Sequence, residues 1–157
     1  MNNKTIFAIY ASQKKGKTSS VKEFYKIFKH AYRSEIASNS CNRISATSEI
    51  SGIIELKSGI KIGINSAGDN LNAVKINIDV FVKAKCDIII CACRTKGEST
   101  WPILNLERKY DVHWIAKPYL YERPASFSEE DFNNECCIIN KNFAKTIFQL
   151  TKIAMDR

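Results

Sequence analysis

Proline is nearly absent from this chain, with three among 157 residues, and glycine is scarce at six. That scarcity excludes a proline-rich or glycine-rich linker, and no internal repeat or low-complexity tract interrupts the sequence. Apolar runs of the ~18–20 residues that span a bilayer are missing too. Residues 1–7 give way to polar sequence by Ser12 and carry neither the apolar core nor the cleavage site of a secretory signal. Histidine occurs only at His30 and His113, both far from any group of cysteines in sequence. The six cysteines include no Cys-x-x-Cys pair: Cys86, Cys91 and Cys93 fall in an apolar run, and Cys136 and Cys137 are adjacent. Neither a zinc site nor a disulfide framework has that spacing, and the positions suit buried thiols acting as small hydrophobes. These absences leave one domain over residues 1–157, expected to be cytoplasmic and without a membrane segment.

What the chain does have is globular composition and unevenly placed charge. Hydrophobic residues make up 45% and charged residues 25%, so disorder is not expected. The formal charge is +8, and +7 of it lies in residues 1–33, where eight Lys and Arg face Glu23 alone. A basic excess of this kind suits an anionic ligand. A nucleic-acid surface is the other use of such charge, and no reader motif or aromatic-interleaved basic patch accompanies it. Solvated helix lysines are the preferred reading of Lys22, Lys26 and Lys29.

The hydrophobic pattern predicts alternating strands and helices. Thr5–Tyr10 reads as a buried strand, and Lys17–Tyr32 as a helix with Val21, Phe24, Phe28 and Ala31 on one face. The Ser- and Asn-rich stretch 34–49 reads as a loop. Residues 53–57 and 60–64 read as a hairpin joined by Ser58-Gly59. Asn70–Ala84 fits helical and strand periods alike, and helix is preferred because a parallel sheet needs a crossover there. Asp87–Ala92 and Asp111–Ala116 read as strands, with a helix beginning at Ser99-Thr100 before Pro102 between them. Residues 117–135 read as irregular and then acidic, ahead of a final helix carrying Phe143, Ile147, Leu150 and Ala154. The fold class expected is α/β, three layers, with about five mostly parallel strands and helices on both faces.

Between the first strand and first helix lies Ala11-Ser12-Gln13-Lys14-Lys15-Gly16-Lys17-Thr18, of the form A-x-x-x-x-G-K-T. A loop entering a helix N-terminus turns backbone N–H groups inward, and the helix dipole adds positive potential. Gly16 admits a close phosphate, Lys17 can reach the terminal phosphates, and the Thr18 hydroxyl suits magnesium. The motif, with its strand before and helix after, resembles the Walker A element of the P-loop NTPase superfamily. The resemblance implies that fold, a bound nucleoside triphosphate with Mg2+, and nucleotide contacts from residues 11–18 and Ser19.

A second segment extends the resemblance. After the hairpin comes Asn65-Ser66-Ala67-Gly68-Asp69. Small GTPases of the Ras type carry Asp-x-x-Gly there, with the aspartate on magnesium through water and the glycine amide near the γ-phosphate. Here Asn65 stands in the aspartate's place as a weakened metal ligand, Gly68 matches the glycine, and an Asp substituted at 65 is expected to be tolerated. Asp69 has two readings: a carboxylate that holds magnesium water or handles the nucleophile's proton, and a cap for the following helix. The guanine motif Asn/Thr-Lys-x-Asp has no full match, since residues 116–119 lack the acid and Thr95-Lys96-Gly97-Glu98 is a loose echo. ATP is therefore expected ahead of GTP.

Arg94 leaves the end of a central strand, where open α/β sheets bind ligands, and reads either as a phosphate or second-substrate contact or as an exposed loop residue. Thr47 and several serines of the stretch 34–49 are candidate switch hydroxyls, with nothing to single one out, and Arg123 is a candidate lid arginine. Three functions stay open: an ATPase acting on a protein partner, a kinase for a small nucleoside-type acceptor, and a nucleotide-binding module without catalysis. The few arginines favour the first over the second.

Overall fold

The computed structural model describes residues 4–43, 48–120 and 122–157. Thr47 lies outside the described residues. Apolar residues at nearly every position of β1 (Thr5–Tyr10) and β6 (Ile88–Cys93) bury both faces of these strands. They pair in parallel, and β1 also pairs in parallel with β7 (Asp111–Ala116). Tyr10 stands opposite both Cys93 and Ala116, so three strands end at one edge and release their following loops together. β5 (Lys61–Asn65) adds in parallel to β6.

Beyond β5 the sheet turns antiparallel. β4 (Ile50–Leu56) pairs with β5, and β2 (Ile36–Asn39) and β3 (Asn42–Arg43) both pair with β4. Among the described residues the sheet has seven strands in the order β2-β4-β5-β6-β1-β7, with β3 beside β4. On one face α1 (Lys17–Ala31) and α4 (Glu129–Met155) cover Phe7, Ile9, Ile62, Ile64 and Ile90 with Phe24, Phe28 and Ile147. On the other, α2 (Leu71–Lys83) and α3 (Trp101–Leu104) cover Ile6, Ala8, Ile89 and Cys91 with Val74, Ile78, Phe81 and Ile103. The α/β class and the three layers agree with the hydrophobic pattern.

Four boundaries differ from it. The stretch 34–49 contains β2 and β3, polar edge strands held by backbone pairing. This raises the strand number from five to seven. The hairpin begins at Ile50, and its connection runs from Lys57 to Ile60, closed by Gly59 N–H donating to Leu56 O at 2.8 Å. After Gly97 comes a 3-10 turn at Glu98–Thr100 and only four residues of α3, so Tyr110 reaches the core by turns rather than along a helix. α4 starts at Glu129, within the segment expected to be irregular, because Ser128 and Asp131 form a reciprocal capping box.

Candidate functional site

The chain leaves β1 and enters α1 through a tight loop whose backbone alternates in sign. Lys14 and Gly16 have φ of 56° and 78°, with Lys15 between them on the ordinary side. Such alternation turns successive N–H groups toward one concavity. Gly16 is the N-cap of α1, no side chain caps the first turn, and no acid lies in it. The N-terminal amides of α1 therefore keep their capacity for an anion. Position 16 needs glycine for its angle, and a Cβ there would also meet Asn140 Oδ1 of α4 at 2.4 Å, so the Asn140 side chain would have to move.

Lys17 sits at the floor of this loop, 6% exposed. Its ammonium donates to the carbonyls of Ala11 at 2.9 Å and Ser12 at 2.7 Å, and lies 4.0 Å from Asp69 Oδ1. Burial lowers its pKa below the usual lysine value; Asp69 and Cys93 act to raise it, and Arg94 lowers it. Burial likewise pushes the Cys93 thiol up to about 12, with Lys17 acting the other way. Residues 14–19, with Ser48, Glu49, Ser66 and Asp69, line a depression of about 370 Å³. The Thr18 hydroxyl donates to the Ser66 carbonyl at 3.4 Å inside it.

The segment after β5 divides by depth. Asn65 is 0% exposed, and its amide is spent on its own turn: Nδ2 donates to Ala67 O at 2.9 Å and Oδ1 accepts from Ala67 N–H at 3.1 Å. This reciprocal pair gives Asn65 a turn-holding role, and Asn65 is not among the residues lining the depression. Gly68 packs on the end of β6, where a Cβ would lie 2.5 Å from Ala92 C, and is not among the residues lining the depression. Asp69 is 44% exposed and faces Lys17. It is not the cap of α2, because Asn70 holds that position and accepts from Ala73 N–H at 2.9 Å.

Two further depressions adjoin the loop. Asp69 also borders one of about 220 Å³ with Arg94, Lys96, Glu98 and Ser99, in which the Arg94 backbone N–H donates to the Ser99 hydroxyl at 3.1 Å. Arg94 thus shares a depression with Asp69, and its own side chain is exposed. On the other flank Lys14, Lys15 and Gly16 border one of about 360 Å³ with Lys117, Tyr119, Phe132, Ile139 and Asn140. Lys15 Nζ lies 4.7 Å from the centre of the Tyr119 ring. No protein-family model, curated protein or solved structure matches this chain.

Geometry thus brings Lys14–Ser19 and Asp69 together, contributes Ala11 and Ser12 through their carbonyls, and leaves Gln13 exposed on the rim. Arg123 is exposed and lines none of the three depressions. Sequence reading missed Glu49, Ser66, Lys117 and Asn140. Ser66 was legible as part of the Asn65–Asp69 segment, and it also accepts from Ile50 N–H at 2.8 Å, tying β4 to the loop. Lys117 carried a signal in its place right after β7, the strand that ends beside β1. Asn140 lies mid-helix, where nothing in the sequence points at Gly16.

Proposed function

We propose that the chain binds a nucleoside triphosphate with magnesium at the Ala11–Thr18 loop and hydrolyses it, ATP ahead of GTP, to act on a partner. The observation that carries this reading is Lys17. A lysine 6% exposed gives up hydration for two loop carbonyls, at the N-terminus of a helix that has no side-chain cap. An ammonium and a row of free amides around one concavity suit a phosphate chain better than any neutral ligand. The flanking apolar depression at Tyr119, Phe132 and Ile139 suits a planar base, and no aspartate follows Lys117 to select guanine.

The donors fit magnesium. Thr18 Oγ1, the Ser66 carbonyl and the Asp69 carboxylate are hard oxygens around one depression. Among the described residues no group of three or more His, Cys, Asp or Glu forms an all-protein cage, and magnesium usually takes one or two carboxylates beside substrate phosphates. Bound there, the ion would neutralise phosphate charge. Lys17 holds the terminal phosphates, the α1 amides hold the chain, and Asp69 takes the proton of the attacking water. A kinase reading draws on the neighbouring depression at Arg94 and Lys96, which shares Asp69 and has room for an anionic acceptor.

Calorimetric titration of ATP with magnesium tests the reading. Lys17→Ala removes one partner of a buried charge contact, worth about 2–5 kcal/mol or ~30-fold to several thousand-fold in affinity. The variant should melt cooperatively and bind far more weakly. Unchanged ATP affinity in a folded Lys17→Ala protein removes the proposal, and phosphate release without an acceptor separates hydrolysis from kinase activity.

A further inference from the structure

α1 and α4 lie side by side on the same face of the sheet and run parallel, since Ser20 meets Asn140 at 3.4 Å and Phe28 meets Phe148 at 6.3 Å between ring centres. Each helix carries a basic row. Lys22, Lys26, Lys29 and Arg33 recur at intervals of four, three and four along and just past α1, and Lys141, Lys145 and Lys152 at four and seven along α4. At 3.6 residues per turn Lys22, Lys26 and Lys29 occupy one arc of α1, and Lys141, Lys145 and Lys152 one arc of α4, away from the Val21–Phe24–Phe28 and Phe143–Ala144–Ile147 sides that meet the sheet. The α1 arc is about 10 Å long and the α4 arc about 16 Å, and packed helix axes stand about 8–10 Å apart.

This charge is not balanced locally. Of the seven cations, only Lys26 pairs with an acid among the described residues, Glu23 at 2.7 Å. α4 has no acid after Glu135 until its C-cap Asp156, which lies near Tyr32. Lys22 with Lys26 and Lys141 with Lys145 stand four apart within their helices, a spacing at which like charges weaken a helix. The helix dipole accounts for Lys29 and Lys152 in the last turns but not for the four mid-helix lysines. Across the sheet, α2 instead balances Lys75 with Asp79 at four residues' distance.

A bound polyanion removes the repulsion, and the way Tyr25 and Phe148 are held says which kind. Tyr25 lies under Lys29 Nζ at 5.9 Å with its hydroxyl held by Asn39, and Phe148 lies under Lys152 Nζ at 5.9 Å and packs against Phe28 and Tyr32. Single strands are gripped by stacking bases on exposed aromatics, whereas a duplex offers paired rows of phosphates to cations alone. We propose that the α1–α4 face binds the phosphate backbone of double-stranded nucleic acid without reading its sequence. The face is separate from the phosphate-type loop, so this surface stands or falls independently of ATP binding.

Fluorescence anisotropy of a labelled duplex of about 20 base pairs, titrated with the full chain between about 50 and 200 mM NaCl, tests it. Neutralising four or five phosphates gives a slope of log K against log salt near about −4. The triple variant Lys29→Gln/Arg33→Gln/Lys145→Gln should lessen that slope by about 2 to 3 and weaken binding at least tenfold at the lowest salt. Lys57→Gln/Lys75→Gln/Lys83→Gln removes equal charge elsewhere and should change the slope by less than about 1. No duplex binding at about 100 µM protein in the lowest salt overturns the proposal, as do equal losses in the two triple variants. Tighter binding of the matching single strand, or of phosphatidylserine vesicles, than of the duplex also overturns it.

Discussion

At position 65 an amide and a carboxylate differ by more than charge. Asn65 gives a proton to Ala67 O and receives one from Ala67 N–H, and no water reaches it. An ionised aspartate can accept but not donate, so Asn65→Asp leaves one carbonyl unpaired beside a buried charge. We expect a loss of at least about 2 kcal/mol in urea unfolding at neutral pH. The deficit should narrow as pH falls, because the protonated acid recovers a donor and the charge is gone. Equal stability of variant and wild type at pH 7 would show that the Asn65 amide does not hold this turn. The expectation of tolerance at 65 arose because sequence gives residue type without depth. Four residues on, Asp69 keeps 44% of its surface and stands by Lys17. Asp69→Asn should lower ATP turnover by about 100-fold or more while ATP affinity moves less than tenfold. Intact turnover in that variant would move the proton-handling role to another group, with Glu49 next in line.

Elements set what the residues can do, and the loop depends on a helix more than a hundred residues away. Gly16 combines a left-handed φ with a contact from Asn140 on α4. Gly16→Ala should destabilise by about 1–2 kcal/mol from the backbone alone, and more from the collision. In an Asn140→Ala background the collision disappears and only the backbone part remains. The double-mutant cycle should therefore show the Gly16→Ala loss shrinking, and an undiminished loss would mean α4 does not press on the loop. The strand–loop–helix unit itself was legible, because apolar runs and helical periods report burial directly. β2 and β3 were not legible, since Ser38, Asn39 and Asn42 join the sheet through backbone groups that any side chain carries. Helix starts were legible where a cap sits next to its helix. Asn70 and Asp69 are adjacent acceptors, however, and only the fold shows that Asn70 is the one bonded to Ala73.

The order of strands belongs to the whole molecule. β6 lies between β1 and β5, a pairing no local pattern encodes, and it brings Asp69 and Arg94 to the edge where Lys17 sits. The same closure buries Lys117 where β7, α4 and the loop meet, 3% exposed, with its ammonium donating to Pro118 O and 5.6 Å from the Phe143 ring centre. Burial lowers its pKa to about 8, with Cys136 acting weakly the other way. Below about pH 8 the amine is charged in folded and unfolded chains alike, and the full penalty of burying it is felt. Between about 8 and the unfolded value near 10.5 the unfolded chain holds more protons, so stability rises with pH; above that the penalty is gone. A depression of this size corresponds to about 3 kcal/mol. The thiols act oppositely: burial pushes Cys41, Cys91 and Cys93 up to about 12, so above about pH 9 the unfolded chain gains from ionising them and stability falls. Total stability against pH therefore mixes two trends, and only a difference isolates the lysine. Lys117→Met keeps the stem and removes the charge. In urea unfolding with reductant present, the variant should exceed wild type by up to about 3 kcal/mol at pH 7, and the gap should close by about pH 10.5. A gap independent of pH would reflect packing by the methionine and would show that the Lys117 amine is already solvated where β7 meets α4.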